Sequence, residues 1–201
     1  SPDRVNVGGG GIMNQGGSLT LTGTTLSGNS SATSGGGLSY TAGDPLIRMP
    51  SNGSLSVSGS TFSGNTANSF AAGGGGADLF NFNNSISTYS INSSTFSGNT
   101  APNANGGAIV VESGPLTLTT SSLSGNSAVR GGAIYSSGSA SVRYSRLVGN
   151  SVPTPTNGMT LFTTNNAFTA DHDWWGINTG PSANDFRSPT GTILPLTYLQ
   201  L

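Results

Sequence analysis

The sequence predicts an all-β chain wound as a single-stranded parallel β-helix, and three observations carry that prediction. The phrase Thr95-Phe96-Ser97-Gly98-Asn99 recurs as Thr25-Leu26-Ser27-Gly28-Asn29, Thr61-Phe62-Ser63-Gly64-Asn65, Ser122-Leu123-Ser124-Gly125-Asn126 and Arg146-Leu147-Val148-Gly149-Asn150. A glycine pair followed by small and apolar residues recurs beside it: Gly10-Gly11-Ile12, Gly36-Gly37-Leu38, Gly75-Gly76-Ala77, Gly106-Gly107-Ala108-Ile109 and Gly131-Gly132-Ala133-Ile134. The repeated asparagines, Asn29, Asn65, Asn99, Asn126 and Asn150, stand 36, 34, 27 and 24 residues apart. A strand and its turn fill roughly eight positions, so the shortest interval holds three strands and three turns, which is one coil.

Within one coil the elements follow in order. Gly107 to Val111 reads as the first strand, Leu116 to Thr119 as the second and Ser122 to Ser124 as the third. Alternation turns Ile109, Leu116, Leu118 and Leu123 inward and leaves Thr117 and Thr119 to solvent. Stacked coils then align Leu26, Phe62, Phe96, Leu123 and Leu147 as the core ladder. The Asn of each phrase is expected to hydrogen-bond from coil to coil and satisfy turn backbone. The Gly before it supplies a positive φ, and the paired glycines allow close approach of backbones. Longer intervals are coils with loops inserted at turns. The inserts run from Thr41 to Pro50, with Asp44, Pro45, Arg48 and Pro50, around Asn68 to Ala72, and from Asn81 to Asn84. Three sheets and about six coils result, with residues 1–181 as the β-helix and 182–201 as a tail or capping segment of the same domain.

Composition narrows the function. Six Arg, no Lys and seven acids give a formal net charge of −1, which is no footprint for nucleic acid. Thirty-two glycines alone would suit a linker, but apolar alternations such as Leu19-Thr20-Leu21 and Leu116-Thr117-Leu118 recur at matching places, as packed strands require. The absence of Cys excludes a disulfide scaffold and thiolate metal sites. No apolar run reaches the length of a membrane span. The chain starts at Ser1 without Met or a signal-like segment, and Val5-Asn6-Val7 runs into the first glycine phrase without an obvious cap. It therefore reads as a processed product or a cut piece, open at this edge to a further coil or to end-to-end self-association.

Phe62-Ser63-Gly64-Asn65 and Phe96-Ser97-Gly98-Asn99 fit an F-x-x-N pattern, and Gly106-Gly107-Ala108-Ile109 and Gly131-Gly132-Ala133-Ile134 fit G-G-A-I. From about Gly8 to Asn157 the chain resembles the repeats of chlamydial polymorphic outer-membrane proteins. That resemblance implies a right-handed parallel β-helix of the autotransporter-passenger type, an extracellular or cell-surface location and an adhesive or structural role. Three of the five phrases depart from it by carrying Leu for Phe, and no amphipathic β-barrel follows. Asp171-His172-Asp173-Trp174-Trp175-Gly176, followed by Asn178-Thr179-Gly180-Pro181, is similar to the "NWWG…GP" ending of many bacterial β-helix surface proteins.

Candidate sites lie where the phrase breaks. Asp171, His172, Asp173, Trp174 and Trp175 hold the only His and both Trp residues. If extended, this segment puts Asp171 and Asp173 on one face, fit for Ca²⁺ or as paired carboxylates, with His172 opposite. The competing reading is a terminal cap whose tryptophans cover the last core layer. Adjacent strand residues point oppositely, so one Trp at most can stack on a sugar. The acids are scattered over different coils and the acid clusters of β-helix lyases and hydrolases are missing, so a non-catalytic module with no cofactor is expected. Its partner would be a protein or glycan on a host or neighbouring cell, with a carbohydrate-binding or carbohydrate-active β-helix as the alternative. Thr20, Thr22, Ser56, Ser58, Thr117 and Thr119, continued by Ser141, form a hydroxyl face that also fits an ice-binding solenoid.

Overall fold

The structure, a computed structural model, describes residues 8–43, 52–70, 73–82, 87–154, 157–164, 168–189, 193–195 by backbone alone, and 197–200. It is the expected parallel β-helix. Among the described residues every strand pairs in parallel with its counterpart one coil away, in sheets of seven, seven, five and four strands. One coil illustrates the path: Ile109–Val111 in the first sheet, Leu116–Thr119 in the second, Ser122–Ser124 in the third and Ser127–Arg130 in the fourth.

The fourth sheet corrects the expected count of three. It consists of Ser30–Ser31, Thr66–Ala67, Thr100–Asn105 and Ser127–Arg130, directly after the repeated Asn. Its inward residues are small, and Ala101, Ala104 and Ala128 form a separate buried cluster. A strand signalled by one inward alanine carries no readable periodicity.

The first strand begins at Ile109 rather than Gly107, because the glycines before it make the corner. Gly106 and Gly131 have φ of 65° and 59°. The second glycine of the pair answers a different need: a Cβ on Gly132 would lie 2.2 Å from the Met159 carbonyl oxygen of the next coil. Gly125 in the Asn phrase is the opposite case, with φ of 62° but no atom within 4 Å of where a Cβ would stand. One glycine is required by contact and the other by conformation.

The core follows the predicted ladder. Leu26, Phe62, Phe96, Leu123 and Leu147 are in register and buried, with the Phe62 and Phe96 rings stacked at 4.5 Å and 7°. Ile109, Leu116 and Leu118 are buried with them, Thr117 is exposed and Thr119 half-buried. The asparagines form the expected ladder. Each backbone N–H and side-chain Nδ2 of Asn29, Asn65, Asn99 and Asn126 donates to Oδ1 of the next Asn at 2.9–3.1 Å. Each Nδ2 from Asn65 to Asn150 also donates to a core-strand carbonyl one coil back, so the buried amides are satisfied.

After Asn150 the chain adds Leu161–Thr163 and Phe168–Asp171, and the tail adds Phe186–Arg187 and Ile193–Pro195 to the first two sheets. The first and third inserts leave at one corner, between the first and second sheets; the second insert lies between the fourth and first. Asp44, Pro45, Arg48 and Pro50, Ala71 and Ala72, Asn83 and Asn84, and Val5, Asn6 and Val7 lie outside the described residues. No helix among the described residues is long and apolar enough to cross a membrane.

Candidate functional site

The segment that breaks the repeat sits at the corner between the second and third sheets. Every coil turns this corner on one residue of positive φ: Gly23 (58°), Gly59 (54°), Ser93 (48°), Thr120 (51°), Tyr144 (53°) and His172 (56°). Side chains rarely adopt that conformation, and glycine holds it in the first two coils. From there to Tyr144 the same corner carries progressively larger groups, and His172 follows.

The next position is a buried serine in four successive coils, Ser60, Ser94, Ser121 and Ser145, after Thr24 in the first. The backbone N–H of Ser60, Ser94 and Ser121 donates to the hydroxyl of the following Ser94, Ser121 and Ser145 at 3.1–3.2 Å. Each hydroxyl in turn donates to the carbonyl two residues back, as Ser121 Oγ does to Thr119 at 2.8 Å. Asp173 ends this row. It accepts the Ser145 N–H at 2.7 Å through Oδ1, while its Oδ2 is buried without a hydrogen-bond partner. Burial pushes its carboxyl up to about 7, against the lowering effect of the Ser145 N–H.

The corner corrects the expectation that Asp171 and Asp173 share a face. With His172 in a left-handed conformation the segment bends instead of running extended. Asp171 ends the second-sheet strand, in register with Arg143. It accepts the Thr197 hydroxyl at 2.6 Å, lies 2.9 Å from His172 Nδ1, and has Arg143 Nε 4.0 Å away. The Thr197 hydrogen bond, followed by His172 and Arg143, holds its carboxyl below the usual range. Asp173 has turned inward and is fully buried. Among the described residues no three His, Cys, Asp or Glu side chains gather to hold a metal ion.

The two tryptophans separate. Trp175 is 8% exposed in the core cluster, its ring edge-on to Phe186 at 5.0 Å. Trp174 pairs with Arg146 through a parallel bridge and stays half-buried at the surface, with the Arg146 guanidinium 5.1 Å above its ring. Trp174, Arg146, Tyr144, Thr120, Ser93 and Leu199 line a shallow groove of about 400 Å³ running along the corner. Tyr144 is 57% exposed there, its ring 5.2 Å from that of His172. The repeat-based reading missed Tyr144 and Arg146. The signal was present: Arg146 replaces the Thr or Ser that opens the other four phrases, and Tyr144 replaces a small turn residue.

The hydroxyl face lies on the second sheet next to this corner. Thr20, Ser56, Ser90, Thr117, Ser141 and Thr169 make one outward row. Thr22, Ser58, Asn92, Thr119, Arg143 and Asp171 make the other. The structure thus brings the six expected residues onto one face and interrupts their second row with Asn92 and an ion pair.

Fold and surface together define a parallel β-helix whose repeated residues build the scaffold and whose outward residues vary. Residues 93–112 and 120–137 match the family model of the Chlamydia polymorphic membrane protein repeat. These two stretches contain three of the four phrases on which the resemblance rested, Phe96 to Asn99, Gly106 to Ile109 and Gly131 to Ile134, together with Leu123 to Asn126, where Leu stands for Phe; Phe62 to Asn65 lies outside them. That repeat points to a surface or outer-membrane protein. No curated protein and no solved structure matches the chain.

Proposed function

We propose that this β-helix is a non-catalytic module at the cell surface or outside the cell, where it acts as a rigid scaffold for adhesive contacts. The observation that carries this reading is the match of two coils to the polymorphic membrane protein repeat. The chemistry of the coils agrees with it: Phe96 stacks, Gly98 bends and Asn99 ladders, so the repeated residues are consumed by structure. Three acids near the C-terminal end are likewise engaged, Asp171 by Thr197, Asp173 by Ser145, and Asp185 by Thr160 and Ser182. Contacts with a partner are left to outward residues that change from coil to coil.

The test is saturable binding of fluorescently labelled protein to intact cells, competed by unlabelled protein. Binding that saturates and is competed supports the module. No competed binding to any cell type tried, or release of new reducing ends from a polysaccharide, would overturn it.

A further inference from the structure

We propose that the groove at the corner between the second and third sheets binds an acidic glycan, a sugar chain carrying carboxylate or sulfate groups. This deepens the surface-module reading and rests on it. Arg146 supplies the charge. Among the described residues no carboxylate pairs with it, and its guanidinium instead lies over the Trp174 ring at 5.1 Å. A guanidinium placed over a ring, with no carboxylate on its N–H groups, keeps those donors for bidentate bonds to carboxylate or sulfate oxygens. Arg143, one turn away, faces Asp171 at 4.0 Å. Neither nearby acid lines the groove: Asp171 faces Thr197 and Arg143 on the second-sheet side of the corner, and Asp173 is buried beneath it.

Aromatic surfaces flank the cation. Tyr144 holds a left-handed conformation at φ 53° with its ring 57% exposed, where earlier coils use Gly59, Ser93 and Thr120. A bulky exposed residue in that conformation is an outlier whose cost points to use. Tyr144 offers its exposed ring to the C–H face of a sugar and its hydroxyl suits a wet site, while the half-buried Trp174 ring carries the Arg146 guanidinium. Ser93 and Thr120 continue the groove as exposed hydroxyls, spaced by the parallel-strand distance of roughly 4.8 Å. A linear glycan lying along the helix axis would meet one hydroxyl per coil and its acidic group would reach Arg146.

The experiment measures binding of the purified chain to polygalacturonate (carboxylate), dextran sulfate (sulfate) and dextran (neutral) by calorimetry at two salt concentrations. Binding to one or both charged polymers is expected, weakened by salt, with dextran at least about tenfold weaker. The two charged arms tell carboxylate from sulfate. Arg146→Gln should weaken binding about tenfold or more. Arg130→Gln removes a cation stacked on Phe162, outside the groove, and should leave binding within about twofold. Trp174→Ala should weaken binding as well. If it fails to fold, Tyr144→Ser restores the small turn residue of earlier coils and tests the same surface. Equal binding of dextran, no binding of either charged polymer, full binding by Arg146→Gln, or equal loss in Arg130→Gln would each overturn the proposal. If Arg146→Gln binds cells as the parent does, the glycan inference falls and the surface module stands. If the parent binds no cell, the module falls while the polymers still decide the groove.

Discussion

Asp173 makes the stability of the C-terminal coil depend on pH. In the preceding coils a serine stands at this corner, accepting an N–H from one side and donating its own proton to a carbonyl. An ionised carboxylate in the same place can accept but has nothing to donate, and Asp173 Oδ2 is buried with no partner. The folded chain therefore favours the protonated acid, whose carboxyl is raised from 3.8 to about 7. Below 3.8 both folded and unfolded forms carry the proton and the group is neutral to stability. Between 3.8 and about 7 the unfolded chain releases its proton while the folded chain keeps it, so stability falls as pH rises. Above that window the loss is complete, and a raise of this size corresponds to about 4 kcal/mol.

The two tryptophans of the protein, Trp174 and Trp175, both lie in this coil, so their fluorescence reports its unfolding directly. Urea titrations between pH 4.5 and 8 should show the parent losing stability steadily up to about neutral pH. Asp173→Asn can donate through Nδ2 and should remove that slope, and Asp173→Ser, which continues the serine row, should be more stable than the parent at pH 8. His172→Gln should retain the slope. A parent titration that is flat over this range, or a slope that survives in Asp173→Asn, would refute the assignment.

Three further outcomes follow from the coils. Phe96→Ala should cost roughly 3–5 kcal/mol by emptying a fully buried ring site stacked on Phe62, whereas exposed Thr117→Ala should change little; chemical denaturation of both decides whether the ladder is the core. Gly125→Ala should cost about 1–2 kcal/mol, the conformational penalty alone, while Gly132→Ala drives a Cβ into the Met159 carbonyl and should cost more; equal melting temperatures would contradict the division of labour between the two glycine types. The hydroxyl face should produce no thermal hysteresis at millimolar protein, because Asn92 and the Arg143–Asp171 pair break its second row, and a measured depression of freezing would reverse that reading.

The regular part of the fold was legible because each repeated residue answers one physical demand. A large apolar side chain every coil must stack, so Phe62 and Phe96 announced the core. Asn65 and Asn99 announced a ladder because a buried amide must be satisfied and a parallel neighbour satisfies it. The serine row was harder to see. Ser60, Ser94, Ser121 and Ser145 sit among many other serines, and nothing in the sequence sets apart the four whose Oγ bridges two coils. The fourth sheet was hidden for a related reason: Ala67, Ala101 and Ala128 are single small residues next to a turn, and a strand with one inward alanine looks like loop.

The candidate site was half legible, and the missing half shows where to look in such a chain. Asp171 to Trp175 stood out because the phrase ends there, yet an extended reading misplaced its carboxylates. The row of turn residues at Gly59, Ser93, Thr120 and Tyr144 already implied a bend at the equivalent His172. Arg146, in contrast, belongs to a phrase that is otherwise intact, since Leu147, Gly149 and Asn150 keep their structural roles. Alternation explains how both can hold. Inward positions are fixed by stacking and hydrogen bonding, while an outward position next to them can become Arg without cost to the coil. Substitution of a large or charged residue at an outward position of an intact phrase is therefore a better marker of a binding surface than the breakdown of the phrase. By that criterion Arg146 stands ahead of His172.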